Sequence, residues 1–150
     1  MRLVIQRVLE ASVTVEERSV AAIGQGLLVL VGVEVGDTEE DMKWLAGKTV
    51  GLRIFDDDSG VMNRSVADIG GDVLAVSQFT LTASTRRGNR PAYIRAAGHD
   101  VAVPLYEGYC EAVGAALGRP VGRGVFGAEM KVSLLNDGPV TIIIDSRLRE

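Results

Sequence analysis

Two polar stretches of this 150-residue chain carry the side chains best suited to chemistry. The first, Ser77-Gln78-Phe79-Thr80-Leu81, ends a strongly apolar run and brings three polar side chains and one aromatic ring to the end of a predicted strand. These groups could line a ligand site. A strand that turns polar as it leaves the core has the same composition, so both interpretations stay open at this point.

The second stretch is a loop, residues 84–95, that holds four arginines and no acidic residue. The protein as a whole has a net charge of -4, so this concentration of positive charge is local. Guanidinium groups bind phosphate in a bidentate manner, and the loop directly follows the polar strand end. It therefore fits a phosphate-bearing ligand, and a solvated loop is the alternative.

A third feature is the turn-like segment Asn136-Asp137-Gly138-Pro139-Val140-Thr141, which lies between two apolar runs. Glycine allows backbone angles that other residues avoid, and proline fixes its own φ and lacks an N–H. One interpretation is a tight turn between two strands. The other is a rigid backbone device that presents its carbonyl groups to something outside the turn.

Several familiar sites are excluded. With one histidine, His99, and one cysteine, Cys110, the chain cannot build a zinc site of the usual type. We expect His99 to be an exposed loop residue and Cys110 to be a small buried hydrophobe. Residues 122–127 match a dinucleotide-binding fingerprint by letter, but they follow a predicted helix and precede a predicted strand, which is the wrong context.

The elements that must position these residues are mostly strands. Strands are predicted at residues 3–9, 12–16, 19–23, 27–33, 53–55 and 72–81, and on both sides of Gly138-Pro139. One helix should begin at Thr38 and run to about Leu52, and a second should run from near Asp100 to Leu117 with Pro104 in its first turn. This pattern predicts an α+β fold and not a regular βαβ alternation.

Bulk composition agrees with one ordinary globular domain over residues 1–150. The chain is 47% hydrophobic, and its negative net charge argues against non-specific coating of nucleic acid. A single cysteine fits a reducing compartment, and no apolar run approaches the roughly 20 residues needed to span a bilayer. We therefore expect a cytoplasmic protein without membrane contact.

Taken together, the motifs closely resemble those of the D-aminoacyl-tRNA deacylases. The stretches that carry the resemblance are Ser77-Gln78-Phe79-Thr80-Leu81, Asn136-Asp137-Gly138-Pro139-Val140-Thr141, Ile5-Gln6-Arg7-Val8, Ala11-Ser12-Val13-Thr14-Val15, Arg87-Gly88-Asn89-Arg90-Pro91 and Phe126-Gly127-Ala128-Glu129-Met130. The resemblance spans nearly the whole chain. Its departures, Glu17-Arg18 at a turn and a proline within the second helix, lie outside the two signatures.

The resemblance implies a homodimer with curled, mostly antiparallel, barrel-like sheets and two flanking helices. It implies a cis Gly138-Pro139 bond that reaches into the partner's active site and selects chirality. It places the ester among four catalytic-site residues and the terminal adenine of tRNA between two others. We expect neither a cofactor nor a metal. The catalytic-site residues are Ser77, Gln78, Phe79 and Thr80, and the expected tRNA-binding residues are Phe126, Met130, Arg86, Arg87 and Arg90.

The expected function is hydrolysis of the ester bond of D-aminoacyl-tRNA, and of glycyl-tRNA, without a metal ion. Backbone N–H groups at the strand end would stabilise the oxyanion. The ribose 2′-OH would help to activate water, and Thr80 ranks below this route as nucleophile because no base is placed to activate it. The alternatives are a non-catalytic tRNA 3′-end binding protein, an esterase of small esters, and a structural dimer.

Overall fold

The computed structural model describes residues 1–150 as eight strands, two α-helices and one short 3₁₀ helix. The strands are β1 Arg2–Val15, β2 Arg18–Ile23, β3 Gly26–Gly32, β4 Phe55–Asp56, β5 Met62–Arg64, β6 Asp72–Ser77, β7 Gly122–Arg123 and β8 Lys131–Asp145, and the helices are α1 Glu39–Gly51, the 3₁₀ helix Phe79–Thr82 and α2 His99–Leu117. The α+β class, with mostly antiparallel strands and two helices, is confirmed.

Strand β1 is the centre of the sheet. One edge of it pairs with β8 from Arg2 to Thr14, and the other edge pairs with β3 in its first half and with β2 in its second half. The sequence predicted two shorter strands here, residues 3–9 and 12–16. The strand is continuous because Glu10 and Ala11, which separate the two predicted strands, pair with Leu135 and Leu134 of β8. Arg7, although buried, finds hydrogen-bond partners within the fold.

The sheet is mixed, with the order β2-β1-β3-β6-β7 and β8 on the outer edge of β1. Strands β3, β6 and β7 run parallel to one another, and all pairs that involve β1 are antiparallel. The sheet curls into a nearly closed, barrel-like form. Its shape places the C-terminal end of β6 beside the start of α2.

The two faces of the sheet bury different clusters, since alternate side chains of a strand point to opposite faces. The helices cover one face, where Leu3, Ile5, Val29 and Val31 pack with Leu45, Tyr109 and the rest of a 21-residue core. The curl of the sheet encloses a smaller cluster of six residues, Val8, Ala11, Val13, Leu28, Leu74 and Val76. As predicted, β3 contributes to both clusters and is buried on both faces.

Helix α1 has the bounds that its sequence predicts, and it begins where Asp41 accepts hydrogen bonds from the N–H and the hydroxyl of Thr38. Helix α2 differs in one detail. It begins at His99, so Pro104 lies in the second turn and not in the first. Cys110 is buried, as expected.

The connection between β1 and β2 is a two-residue hairpin turn. Both of its residues, Glu16 and Glu17, have positive φ angles, of 49° and 65°. Two successive left-handed residues give the turn the twist of the strands it joins.

Neither α1 nor α2 combines the length and the apolar character of a membrane-spanning helix.

Candidate active site

A cavity of about 500 Å³ lies where β3 and β6 end, between the start of α2 and the segment that leads into β8. Its walls include Ser77, Gln78 and Phe79 on one side and Phe126 and Met130 on another. A larger groove of about 830 Å³ lies elsewhere, between Trp44 of α1 and Ile143 of β8, and no expected site residue lines it. The smaller cavity is therefore the candidate site, because expected site residues line it.

The polar wall of the cavity is formed where β6 stops. The sequence predicted a strand as far as Leu81, which is wrong: the strand ends at Ser77, and residues Phe79–Thr82 form a 3₁₀ helix. The N–H of Gln78 still donates to the carbonyl oxygen of Val31 at 2.8 Å. The chain then turns, so that three successive side chains reach the cavity instead of alternating between faces.

The turn leaves two backbone donors free. The first N–H groups of any helix lack partners within it, and here the N–H groups of Phe79 and Thr80 make no hydrogen bond within the backbone, whereas that of Leu81 donates to the carbonyl oxygen of Gln78 at 3.2 Å. Two adjacent free N–H groups beside a cavity are the arrangement that binds a negatively charged oxygen.

Thr80, unlike the three residues before it, does not line the cavity. Its hydroxyl oxygen accepts a hydrogen bond from Nε2 of Gln78 at 2.5 Å. Its only side-chain partner is thus an amide, which cannot take a proton from the hydroxyl group. The geometry does not make Thr80 an activated nucleophile.

The aromatic wall of the cavity is built around Phe126. Its ring centroid lies 5.2 Å from that of His99, with the planes almost perpendicular, and 5.9 Å from that of Tyr106. Burial raises the pKa of Tyr106, whose neutral hydroxyl donates to the carbonyl oxygen of Ala75 at 2.9 Å. Phe126 is therefore held from behind by α2, and Met130 lines the same cavity.

The four arginines of the loop separate into two groups. Arg86, Arg87 and Arg90 are exposed and make no ion pair, while the guanidinium of Arg95 donates to the carbonyl oxygen of Thr82 at 3.2 and 3.3 Å. Reciprocal 2.9 Å hydrogen bonds between Ser84 and Ala92 close the loop at its base. Three arginines are thus free to meet a ligand, and the fourth supports the end of the 3₁₀ helix.

A second aromatic pair joins this loop to the polar wall. The rings of Phe79 and Tyr93 meet edge to face with centroids 5.0 Å apart. Both side chains are still largely exposed, since 55% of Phe79 and 39% of Tyr93 remain accessible. The loop and the cavity therefore form one continuous surface.

Gly138 and Pro139 lie within one strand and not in a turn between two strands, so that interpretation of the sequence is wrong. Strand β8 continues through the segment, but its pairing passes from Asn136 opposite Val8 to Thr141 opposite Gln6. Residues 137–140 consequently bulge out opposite the single residue Arg7. The Gly138-Pro139 peptide bond is cis, and Gly138 has a φ of +123°.

The bulge, residues 137–140, is tied to β1 by two side chains. The amide of Asn136 donates to the carbonyl oxygens of Arg7 at 2.9 Å and of Val140 at 3.2 Å. The guanidinium of Arg7 donates to the carbonyl oxygen of Asp137 at 3.2 Å and to that of Ile54 at 2.7 Å. The bulge is thus fixed on its inner side, while its outer side faces solvent.

The bulge and the cavity do not meet within one chain. Strands β8, β1, β3 and β6 are successive neighbours, and Ser77 stands level with Ile144, five residues beyond Pro139. Strand spacing and rise place the bulge about 20 Å from the polar wall. The structure therefore brings Ser77, Gln78, Phe79, Phe126 and Met130 together and keeps Gly138 and Pro139 apart from them.

Sequence reasoning missed two residues of this region. His99 lines the cavity, although it was expected to be a loop residue, and Arg7 anchors the bulge from a position 130 residues away in sequence. No local pattern marks His99. For Arg7 the one available signal was its position within an apolar run, since a buried arginine needs a partner.

Known proteins resemble this chain over its full length. The sequence profile of the D-Tyr-tRNA(Tyr) deacylase family matches residues 4–145. A D-aminoacyl-tRNA deacylase of Parabacteroides distasonis is 60% identical over 150 residues, 100% of both chains. The solved structure of a c-Myc DNA Unwinding Element Binding Protein superimposes with a TM-score of 0.92 at 38% identity and covers 97% of this chain and 98% of its own.

A second solved structure, a probable eukaryotic D-amino acid tRNA deacylase, has a TM-score of 0.82 at 18% identity and covers 95% of this chain and 97% of its own. At that identity it supports the fold alone. The sequence profile and the 60% identical relative, by contrast, bear on the family of the chain.

Proposed function

The chain belongs to the D-Tyr-tRNA(Tyr) deacylase family, and from this membership we propose that it hydrolyses the ester bond of D-aminoacyl-tRNA to free tRNA and a D-amino acid. One observation supports the proposal most directly: the polar wall of Ser77, Gln78 and Phe79 faces the same cavity as Phe126 and Met130. The site proposed for the ester and the site proposed for the unpaired base would thus lie side by side.

The tRNA end would be held by stacking and by charge. Phe126 and Met130 offer apolar surfaces to the terminal adenine, in the way that unpaired bases are commonly bound. The exposed arginines Arg86, Arg87 and Arg90 would contact phosphates beyond the cavity. The substrate is made where translation occurs, so the proposal includes a cytoplasmic location.

Water would attack the ester carbonyl carbon, and the free N–H groups of Phe79 and Thr80 would stabilise the oxyanion that forms. The bond from this carbon to the ribose 3′-oxygen then breaks. The 3′-oxygen takes a proton, and the amino acid leaves as its carboxylate. The vicinal 2′-OH of the ribose would position and activate the water, since no side-chain base lies beside Thr80.

The role of Thr80 is open to a direct test. Thr80→Val and Thr80→Ala should keep turnover within about tenfold of the unchanged protein, because only an N–H is required of this residue in the proposed route. Complete loss of turnover in a variant whose unfolding temperature is unchanged would instead make the hydroxyl the nucleophile. A substrate that ends in 2′-deoxyadenosine lacks the 2′-OH and should be hydrolysed much more slowly.

Chirality would be read by the bulge of a second copy of the chain. A rigid backbone wall at Gly138 and Pro139 would exclude an L-side chain by steric clash and would not distinguish one D-side chain from another. Glycyl-tRNA, which has no side chain to exclude, would be accepted. Because bulge and cavity are about 20 Å apart within one chain, as the strand spacings give, the site would be completed only in a homodimer.

The sheet has a surface on which a second copy could pack. Ile143 pairs with Val4, which pairs with Leu30 on its other side, so these three apolar side chains form one row on the face without helices. Ile143 is 68% exposed. An apolar row that begins at the exposed side chain of Ile143 and lies beside the bulge fits a homodimer interface.

The first experiment compares D-tyrosyl-tRNA with L-tyrosyl-tRNA, each with and without EDTA. Rapid hydrolysis of the D-ester alone in both conditions would support deacylation, the chiral filter and metal independence. Hydrolysis of neither ester with tRNA still bound would replace the proposal by a non-catalytic tRNA 3′-end binding protein. Strong preference for one D-residue over others would reject a filter made only of backbone.

The shared site is tested by mixing two variants, Gln78→Ala and a Pro139→Ala variant. Each homodimer would have two damaged sites, whereas a mixed dimer would have one site with both parts intact. Recovery of activity on mixing is the expected result. A monomer in sedimentation analysis, or no recovery when subunits are shown to exchange, would argue against a composite site.

A further inference from the structure

The cavity contains one titratable side chain, His99. The other polar side chains on its walls are Ser77 and Gln78, and no lysine, arginine or carboxylate lines it. The imidazole is exposed, and its only aromatic neighbour is Phe126, whose ring it meets at 88° with centroids 5.2 Å apart. The ring helps to hold Phe126, but packing against Phe126 does not require a polar ring.

We propose that His99 is a substrate-binding residue that donates an N–H to the phosphate on the 5′ side of the terminal nucleotide. The inference rests on the proposed function, since it takes the nucleotide whose base would stack on Phe126. The 5′ phosphate of a nucleotide lies close to the edge of its own base. A ring that touches Phe126 from the side is therefore placed to meet the phosphate while the base covers Phe126.

The three exposed arginines of the loop cannot replace it inside the cavity, because none of them lines the walls. Arg86, Arg87 and Arg90 would meet phosphates farther along the strand. His99 would thus distinguish a nucleotide that continues into a 5′ phosphodiester from a free nucleoside. The consequence is selectivity for an ester carried on a polynucleotide.

A role for His99 as general base is not favoured by its surroundings. In catalytic arrangements the base is oriented by a third group, commonly a carboxylate. Asp100 is its neighbour on α2, but its carboxylate does not line the cavity. The position fits binding better than proton transfer, and the two roles predict different kinetics.

The test uses two small substrates, 3′-O-(D-tyrosyl)adenosine and the same ester carrying a 5′-(methyl phosphate) group. The unchanged protein should have a KM about tenfold lower for the phosphorylated ester, as one charge-assisted hydrogen bond would give. His99→Phe keeps an aromatic ring against Phe126 but has no N–H. It should raise the KM of the phosphorylated ester to that of the other and leave both kcat values unchanged.

His99→Gln, which keeps an N–H donor, should restore part of the preference. If His99→Phe retains the full preference, or if kcat falls equally for both esters, the proposal is overturned. Calorimetric binding of adenosine and of adenosine 5′-(methyl phosphate) gives the same comparison without hydrolysis. Failure of the proposed deacylation can therefore be separated from failure of this inference, and unfolding temperatures confirm that the variants fold.

Discussion

Nε of Arg7 in β1 lies 3.2 Å from the carbonyl oxygen of Asp137, the residue that precedes Gly138 in β8. The same guanidinium group donates to the buried carbonyl oxygen of Ile54 at 2.7 Å and lies 3.3 Å from the carboxylate of Asp137. One side chain thus holds both the bulge of β8 and the segment that precedes β4. The orientation of the bulge depends on it.

Arg7→Lys should therefore loosen the bulge while it keeps a positive charge at this position. Lysine keeps the charge but cannot donate to two carbonyl groups in the fixed geometry of a guanidinium. We expect the ratio of D- to L-tyrosyl-tRNA hydrolysis to fall at least about tenfold and stability to fall by about 1–3 kcal/mol, since a buried carbonyl is left without its donor. Steady-state rates on both esters and urea denaturation measure the two effects.

Arg18→Lys is the matched control, because Arg18 is an exposed residue of β2. It should change neither the chiral ratio nor the stability. An Arg7→Lys protein with an unchanged ratio would show that the bulge does not depend on this contact.

Gly138→Ala should damage the bulge at its centre. A Cβ at this position would lie 2.9 Å from Cγ2 of Val140 and 3.0 Å from Nη2 of Arg7, and φ is +123°, where L-residues are strained. We expect hydrolysis of D-tyrosyl-tRNA to fall by about tenfold to a hundredfold, because displacement of a positioning group by about 1 Å has effects of this size. Single-turnover rates measure the change.

Gly60→Ala separates strain from contact. Gly60 also has a positive φ, +76°, but a Cβ there would meet nothing within 4 Å. This variant should lose a little stability and keep its activity. If both alanine variants had the same activity, the contacts around Gly138 would not matter.

Removal of the exposed arginines should weaken binding of tRNA and leave the chemistry intact. We expect Arg86→Ala, Arg87→Ala and Arg90→Ala each to raise the KM for D-tyrosyl-tRNA, and the slope of log affinity against log salt to fall by about one for each phosphate that is no longer neutralised. The KM for D-tyrosyl-adenosine should stay the same. Arg95→Ala should differ from all three, with a lower kcat on both substrates, because Arg95 supports the 3₁₀ helix.

Acid should destabilise the protein partly through Asp145. Burial acts to raise the pKa of its carboxyl group, but hydrogen bonds from the N–H of Arg147 and from the guanidinium of Arg2 outweigh it, so the pKa is lowered in the folded state. The unfolded chain therefore binds the proton more readily. This contribution to stability is present above the ordinary aspartate range and is lost as the pH falls through the folded pKa.

Unfolding temperatures between pH 7 and pH 3 measure the effect. Asp145→Asn should lose less stability across this range than the unchanged protein, although it begins less stable at pH 7. Arg2→Met, which removes both guanidinium donors to Asp145 and keeps the carboxylate, should show an intermediate dependence. Parallel curves for all three proteins would contradict this role of Asp145.

The sequence predicted well those elements whose signals are local. The apolar run that became β3 and the capping residues of α1 needed only neighbouring residues to be interpreted. The polar strand end at Ser77 was also predicted, because the change from apolar to polar residues occurs between neighbours in the sequence. The sequence did not predict the 3₁₀ helix that follows, since that helix depends on where the strand leaves the sheet.

Features that depend on distant contacts escaped prediction. Gly138 and Pro139 have the composition of a turn, yet β8 passes through them because Arg7 and Asn136 hold the bulge against β1. The four arginines of the loop looked equivalent, but the guanidinium of Arg95 donates to the carbonyl oxygen of Thr82. No window of sequence contains both partners of such contacts.

The pairing of β1 with β8 also governs when the protein can become functional during its synthesis. Arg2 pairs with Asp145, so one edge of the first strand stays open until nearly the whole chain has left the ribosome. Contacts of such sequence separation form slowly, and an unpaired edge invites association with other chains. Strand β1 and the bulge are thus synthesised at very different times, and the backbone wall proposed to select chirality would be missing from a nascent chain until β8 is in place.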